Sequence, residues 1–411
     1  MLPFYNLGIR LYSAAIRIAA PFNSKAGKWV SGRRGWREKI AAIANEIDRP
    51  IWMHCASLGE FEQGRPVLEA IRKNYPEISI VLSFYSPSGY DVRKDWEGAD
   101  QVFYLPTDTT SNAEYLVETL KPRMAIWVKY EFWLNHFKAL NDASVPLLLI
   151  SGVFRDDQIY FKGYGASMAK RLKAIDHCFV QNESSTRLAE SIGLSAEVTG
   201  DTRFDRVADI AAGSFSVGPV KTFTQGKPTV VLGSSWGKEE SFMAKWCNEH
   251  RDAGIKVVVV PHEIGELHLS EIEKRFNEEV VRYSQLRPES TGRILLVDQI
   301  GLLSRIYREA DLAVIGGGFG AGIHNTLEAA VYNLPVIFGP KFDRFEEAKA
   351  LIAKGGGASF SSYEGFAEFL SLLMTEKGRE RLEEMGVVAG QYVVSQTGAT
   401  GRILEHIGRV L

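Results

Sequence analysis

The chain has three cysteines among its 411 residues, Cys55, Cys178 and Cys247, with no C-x-x-C pair. That excludes a disulfide framework and a cysteine zinc site, and fits a reducing compartment. Charge of one sign is also lacking: the formal net charge of -2 leaves no electrostatic footprint for nucleic acid, and no nucleic-acid partner is expected. The most apolar stretch, residues 1–22, is interrupted by Arg10 and Arg17 and is a poor spanning helix. No clean apolar core followed by a small-residue cleavage site is present there, which argues against a signal peptide. A Walker-type phosphate loop is missing. The run from His262 to His268 is not H-E-x-x-H, because Glu266 occupies the fourth position after His262, and histidines six apart do not share a helix face. Neither a metal nor a cofactor is expected.

What is present is ordinary folded-protein composition, 45% hydrophobic and 24% charged, in a length that suits two or three domains. From Pro50 onward short apolar runs alternate with helical patterns: Ile51 to His54, Ile78 to Phe84, Gln101 to Tyr104, Met124 to Val128, Leu147 to Ile150, His177 to Val180 and Glu197 to Thr199 read as strands. Between Asp205 and Lys227 the periodicity weakens and Gly213, Ser214, Ser216, Gly218 and Pro219 accumulate, which marks a domain boundary. A second series of strands then begins at Thr229. The pattern predicts an α/β chain of two tandem Rossmann-like, doubly wound domains facing across a cleft. The expected divisions are an N-terminal segment 1–40, domains over 41–210 and 211–390, and a C-terminal helix over 391–411 that packs back across the cleft.

Read at helical spacing, Asn6, Arg10, Ser13 and Arg17 share one face of the first segment, and nearly all else is apolar. Lys25, Lys28, Arg33, Arg34, Arg37 and Lys39 follow, against the single acid Glu38. An interfacial helix beside a basic cluster, held at an anionic membrane surface, is one reading; a first helix docked on the protein's own core is the other.

Five stretches carry candidate chemistry. In Val314 to Pro340 a buried strand runs into Gly316, Gly317 and Gly318, then Gly320 and Gly322, before a helix expected near His324 and Asn325. This outlines a phosphate cradle, with Glu328 one turn in, placed for ribose hydroxyls; a tight strand-to-helix turn is the plainer alternative. The spacing Gly316-x-Gly318-x-x-Ala321 imitates the dinucleotide fingerprint, but it follows about the fifth strand of its domain rather than the first. The first turn is Gly233-Ser234-Ser235-Trp236, which either contacts a phosphate or sugar or caps a helix through Ser234 or Ser235. Pro261 and His262 close another strand and line the expected cleft. In the first domain, Ser57-Leu58-Gly59-Glu60 reads both as a capping box and as a turn that places a carboxylate at the cleft mouth, suited to a general base. Lys129-Tyr130-Glu131 ends a further strand, where Glu131 either holds acceptor hydroxyls or complements a helix dipole.

These residues together resemble the Kdo transferases of Gram-negative bacteria. The resemblance is carried by Ala56-Ser57-Leu58-Gly59-Glu60, Glu131-Phe132-Trp133, Gln181-Asn182-Glu183, Val198-Thr199-Gly200 with Phe204-Asp205, Gly316-Gly317, His324-Asn325, Leu327 to Ala330, Pro335-Val336 and Gly339-Pro340. It implies a GT-B fold with a membrane-associating N-terminal helix. It also implies inverting transfer of 3-deoxy-D-manno-octulosonic acid from CMP-Kdo to a lipid A precursor, at the cytoplasmic face of the inner membrane. In that pattern Glu60 is the catalytic base, with Ser57, Gly59, Lys129 and Glu131 on the acceptor side. Ser234, Ser235, Pro261, His262, Gly316, Gly317, Gly318, His324, Asn325 and Glu328 lie on the donor side. Three departures stand out: Lys129 replaces an expected glutamate, Val260-Pro261-His262-Glu263 lacks an expected arginine, and Ser151-Gly152-Val153 stands where N-A-R is usual, with Arg155 two places on. The rival readings are a GT-B transferase or non-hydrolysing epimerase acting on a UDP-sugar, and a non-catalytic, membrane-recruited binding protein.

Overall fold

A computed structural model describes residues 2–213 and 217–411. Met1, Ser214 and Ser216, which entered the reading of the N-terminal segment and the domain boundary, lie outside the described residues. The chain divides into two compact units, Met1–Asp205 with Thr397–Leu411, and Arg206–Gln396.

Unit one is built on a parallel sheet of β1 (Ile51–Cys55), β2 (Ile80–Phe84), β3 (Gln101–Tyr104), β4 (Met124–Val128), β5 (Leu147–Gly152), β6 (His177–Val180) and β7 (Ala196–Val198). Its strand order is β3-β2-β1-β4-β5-β6-β7. Helices cover both faces, so the central strands are buried along their whole length, and the sequence shows continuous rather than alternating apolar runs. Trp52 of β1 and Trp127 of β4 meet edge to face at 4.9 Å, fully buried, at the centre of the core. Unit two repeats the scheme with β8 (Thr229–Ser235), β9 (Lys256–Pro261), β10 (Val280–Arg282), β11 (Ile294–Leu296), β12 (Leu312–Ile315), β13 (Val336–Phe338) and β14 (Gly357–Ser359), all parallel, in the order β10-β11-β9-β8-β12-β13-β14. The expected α/β fold with two doubly wound sheets is borne out.

In each sheet the winding reverses at one place, between β1 and β4 in unit one and between β8 and β12 in unit two. The loops at the carboxyl ends of the strands diverge there and open a crevice, the usual ligand position in open α/β sheets.

Several boundaries differ from expectation. The segment of weak periodicity carries two helices, Arg203–Ala212 and Gly218–Thr224, and the chain changes unit at Asp205, ahead of the expected residue 210. The C-terminal run is two helices, Glu376–Ser395 and Ala399–Val410, broken at Gly398 with φ 107. Asp205 fixes the second helix to unit one by accepting the backbone N–H groups of Gly398 and Thr400 at 2.5 and 2.7 Å.

The N-terminal region is α1 (Leu2–Ala19), α2 (Ser24–Ser31) and α3 (Trp36–Glu46). Here the polar face of α1 is not where an interfacial helix would put it. Tyr5 donates to Asp108 at 2.5 Å, Asn6 accepts from Asn135 at 2.9 Å and Ser13 is buried, so much of the polar stripe points into the protein. Phe4 and Ile18 are left 73% and 74% exposed, with Leu7, Leu11 and Phe22 also outside. Arg33 leaves the expected basic cluster too. It is buried, donates to the carbonyls of Leu105, Trp29 and Tyr85, and lies 3.9 Å from the centre of the Trp29 ring, so it clamps α2 to the sheet. No described helix is long and apolar enough to cross a membrane.

Candidate active site

The turn after β1 begins α4 (Leu58–Asn74), with Ser57 as N-cap and Glu60 at the third helical position. Glu60 reaches back so that its Oε2 accepts the N–H of Ala56 at 2.5 Å and of Ser57 at 3.2 Å, the carboxylate half of a capping box. Both readings of this turn therefore apply to one side chain. Glu60 is nearly fully buried, and that burial, reinforced by the charge of Glu131, pushes its carboxyl up to about 8 against the pull of the two backbone donors and Lys129. A buried carboxyl that binds its proton near neutrality is poised to take one from a bound hydroxyl.

The loop after β4, the other side of the same switch point, brings Lys129, Tyr130 and Glu131 to Glu60. Lys129 has φ 72, a left-handed turn that ends the strand. Burial raises the Glu131 carboxyl as well. Arg155 stacks over the Tyr130 ring at 5.1 Å, so the arginine displaced in sequence returns to the site in space. Gly59 has no close neighbour that would exclude a side chain, the nearest being the Ser57 hydroxyl at 3.9 Å. Ser151, at a departure from the family pattern, is buried with its hydroxyl on Thr202, and the matched Gln181 donates to Asp201 at 3.1 Å, so both brace the sheet edge.

In unit two, β8 continues through Ser234 and Ser235, and Trp236 is the N-cap of helix Gly237–Glu249; neither serine caps it. Ser235 is buried and donates to Glu240 at 2.9 Å, which also bonds His268 at 3.0 Å. Gly316 lies so close to β8 that an added Cβ would stand 2.2 Å from the Ser234 carbonyl oxygen, and Gly317 has φ 90. The loop then returns, His324 N–H donating to the Gly316 carbonyl at 3.1 Å. Two features differ from a plain phosphate cradle. The helix beyond the glycines is the single turn Leu327–Ala330, too short for a useful dipole. The N–H groups of Gly317 and Phe319 face the buried carboxylate of Glu239, which partly fills the loop from within. Asn325 donates to Glu328 at 3.0 Å and accepts the Leu327 N–H at 3.1 Å, so Asn325 both caps this turn and orients the carboxylate.

Three loops bring aromatic rings together at this switch point. Trp236 Nε1 donates to His324 Nε2 at 3.0 Å with the rings 10° apart, which makes one extended flat surface. His262 lies on it, 4.9 Å from Trp236 and 4.4 Å from His324. Burial, then the charge of His262, pushes His324 down to about 4, so the ring is neutral and its proton sits on Nδ1. Such a surface suits a planar base. Pro261 is buried behind it, its β9 continuing into the His262 N–H, which donates to the Ser235 carbonyl at 3.1 Å. Sequence reasoning assigned roles to His262 and His324 but none to Trp236 itself, whose partner is 88 residues away. Tyr130, Arg155 and Glu239 likewise lie in or beside stretches it singled out, without a role of their own.

Comparison with known proteins sharpens the class. The MurG structure of Acinetobacter baumannii matches with a TM-score of 0.57 at 12% identity, covering 88% of this chain and 100% of that one. A UDP-GlcNAc 2-epimerase of Neisseria meningitidis matches with a TM-score of 0.56 at 13% identity, covering 84% and 99%. At such identity these show the fold alone, and the fold is GT-B. A family model described as 3-deoxy-D-manno-octulosonic-acid transferase (kdotransferase) matches residues 34–206. A 3-deoxy-D-manno-octulosonic acid transferase of Bordetella pertussis is 24% identical over 435 aligned positions, covering 98% of this chain and 99% of the relative. The chain is a glycosyltransferase, and the relatives it resembles along most of its length are Kdo transferases.

Proposed function

We propose that this enzyme transfers Kdo from CMP-Kdo to a glucosamine hydroxyl of a lipid A precursor, with inversion and with Glu60 as general base. The observation that carries the proposal is the Glu60 carboxyl, buried beside Glu131 at a switch point and pushed up to about 8. The acceptor hydroxyl oxygen attacks the anomeric carbon of Kdo as its proton passes to Glu60. The bond from that carbon to the CMP phosphate oxygen breaks, and CMP leaves with the electron pair. Ser57, Gly59, Lys129 and Glu131 border the acceptor. Gly316, Gly317 and Gly318, the Ser234 turn, Asn325 and Glu328 border the donor, whose base rests on Trp236, His262 and His324.

The outward apolar residues of α1, with Arg10 and Arg17 exposed among them, support peripheral attachment to an anionic membrane surface at the cytoplasmic face. The test is product analysis by mass spectrometry after incubation with CMP-Kdo and a tetraacylated lipid A precursor. Addition of Kdo by the wild type, and addition slowed by about 10² or more in Glu60→Gln, is expected; equal addition by both would remove Glu60 from the mechanism.

A further inference from the structure

A cavity of about 450 Å³ opens between α1, α2 and the loop after β2. One stripe of α1, at positions 12, 15, 16 and 19, lines it, and the stripe contains Ala15 and Ala19; Ala26 of α2 and the rings of Trp29 and Tyr85 form most of the remaining wall, with Asn23, Lys25 and Ser86 among the polar residues that border it. The short alanine side chains leave the space between the two helices unfilled, and its walls are mostly apolar. The turn that borders it is tied to the catalytic turn: Ser86 N–H donates to the Ala56 carbonyl at 2.8 Å, and the Ala56 N–H is one of the two bonded to Glu60. On the other side of Trp29 lies a smaller recess of about 260 Å³ whose rim carries Arg17 and Arg34, both exposed. An apolar cavity and a basic recess that share one tryptophan wall match the two ends of an anionic amphiphile.

We infer that the cavity between α1 and α2 holds an acyl chain of the acceptor, with an acceptor phosphate on Arg17 and Arg34. This rests on the lipid acceptor proposed above, and it assigns α1 a role in acceptor selection besides surface attachment. The chain of the acceptor itself is the occupant, because the cavity borders the turn that positions Glu60, whereas bulk lipid would meet the outward residues Phe4, Leu11 and Ile18.

Ala15→Phe and Ala19→Phe place a ring in the cavity on an exposed helix position, with the fold checked by thermal unfolding. With an acylated, phosphorylated diglucosamine acceptor, each variant should raise KM about tenfold or more, since a large apolar side chain competes for the space. The kcat/KM for the fully deacylated acceptor and the affinity for anionic vesicles should stay at wild-type values. A KM unchanged for the acylated acceptor would overturn the assignment, and so would an equal loss on the deacylated one. A second measurement is independent of transfer: parinaric acid should bind the wild type, be displaced by the acylated acceptor, and bind Ala15→Phe at least about tenfold more weakly. Absence of binding to the wild type, or displacement by phospholipid but not by the acceptor, would overturn the cavity assignment. Normal probe binding and displacement with no transfer to either acceptor would instead overturn the proposed reaction and support the cavity.

Discussion

The two switch points have the same architecture and different linings. In unit one the crevice holds a carboxyl kept short of compensation. Glu60 is buried, a second acid stands beside it, and its donors fall on one oxygen, so it holds a proton far above the usual carboxylate range. In unit two Ser235 and His268 are spent on Glu240, the buried Glu239 lies behind the glycine loop with its carboxyl raised by burial, and His324 is held uncharged. The difference separates labour. One crevice can move a proton, and the other offers a flat, fixed ring surface for a nucleotide.

The sharpest way to break this contrast is to remove the proton acceptor. Glu60→Gln should lower kcat by about 10² to 10⁴ with CMP-Kdo, the usual worth of a positioned base, while CMP binding by calorimetry stays at the wild-type value. The matching lesion in unit two is Gly316→Ala. Its Cβ would be driven into the Ser234 carbonyl, so a loss of about 1–3 kcal/mol in urea unfolding is expected, together with loss of CMP binding. Replacing Trp236 by alanine should weaken CMP binding by about 1–3 kcal/mol, the range for a base stacked on an aromatic ring, and should leave the pH dependence of the reaction unmoved. Glu131→Gln is the finest probe. Removing the like charge lowers the Glu60 carboxyl, so the acid limb of the rate profile should move to lower pH with little change in its plateau.

Much of this was legible in the chain. Both sheets could be read because strands buried on both faces appear as unbroken apolar runs such as Met124 to Val128 and Val257 to Pro261. The Glu60 turn was visible because a capping box is local, encoded within four residues. What stayed hidden depends on long-range placement. A helical wheel groups Asn6 and Ser13 on one face of α1 but does not tell which face the fold takes inward; Asp108 and Asn135 decide that. Arg33 looked like one more surface charge until three carbonyls from separate elements converged on it. The ring surface required three strand ends to meet, and Glu239 reaches the glycine loop across 78 residues of sequence, from 239 to 317.

The raised carboxyl has a thermodynamic counterpart. The folded chain holds the Glu60 proton up to about 8, whereas an unfolded chain releases it near the ordinary value of 4.5, so this group makes folding stability fall as pH rises through that window. A site that costs stability at neutral pH is one whose geometry serves another purpose.

The central claim is that Glu60 takes the proton. The direct measurement is kcat/KM for CMP-Kdo and the lipid acceptor as a function of pH, in the wild type and in Glu131→Gln. A base must be unprotonated to act, so activity should climb with pH through a midpoint near 8 in the wild type and through a lower midpoint in the variant. A wild-type profile already flat from pH 6 upward, or one that Glu131→Gln leaves in place, would contradict the account.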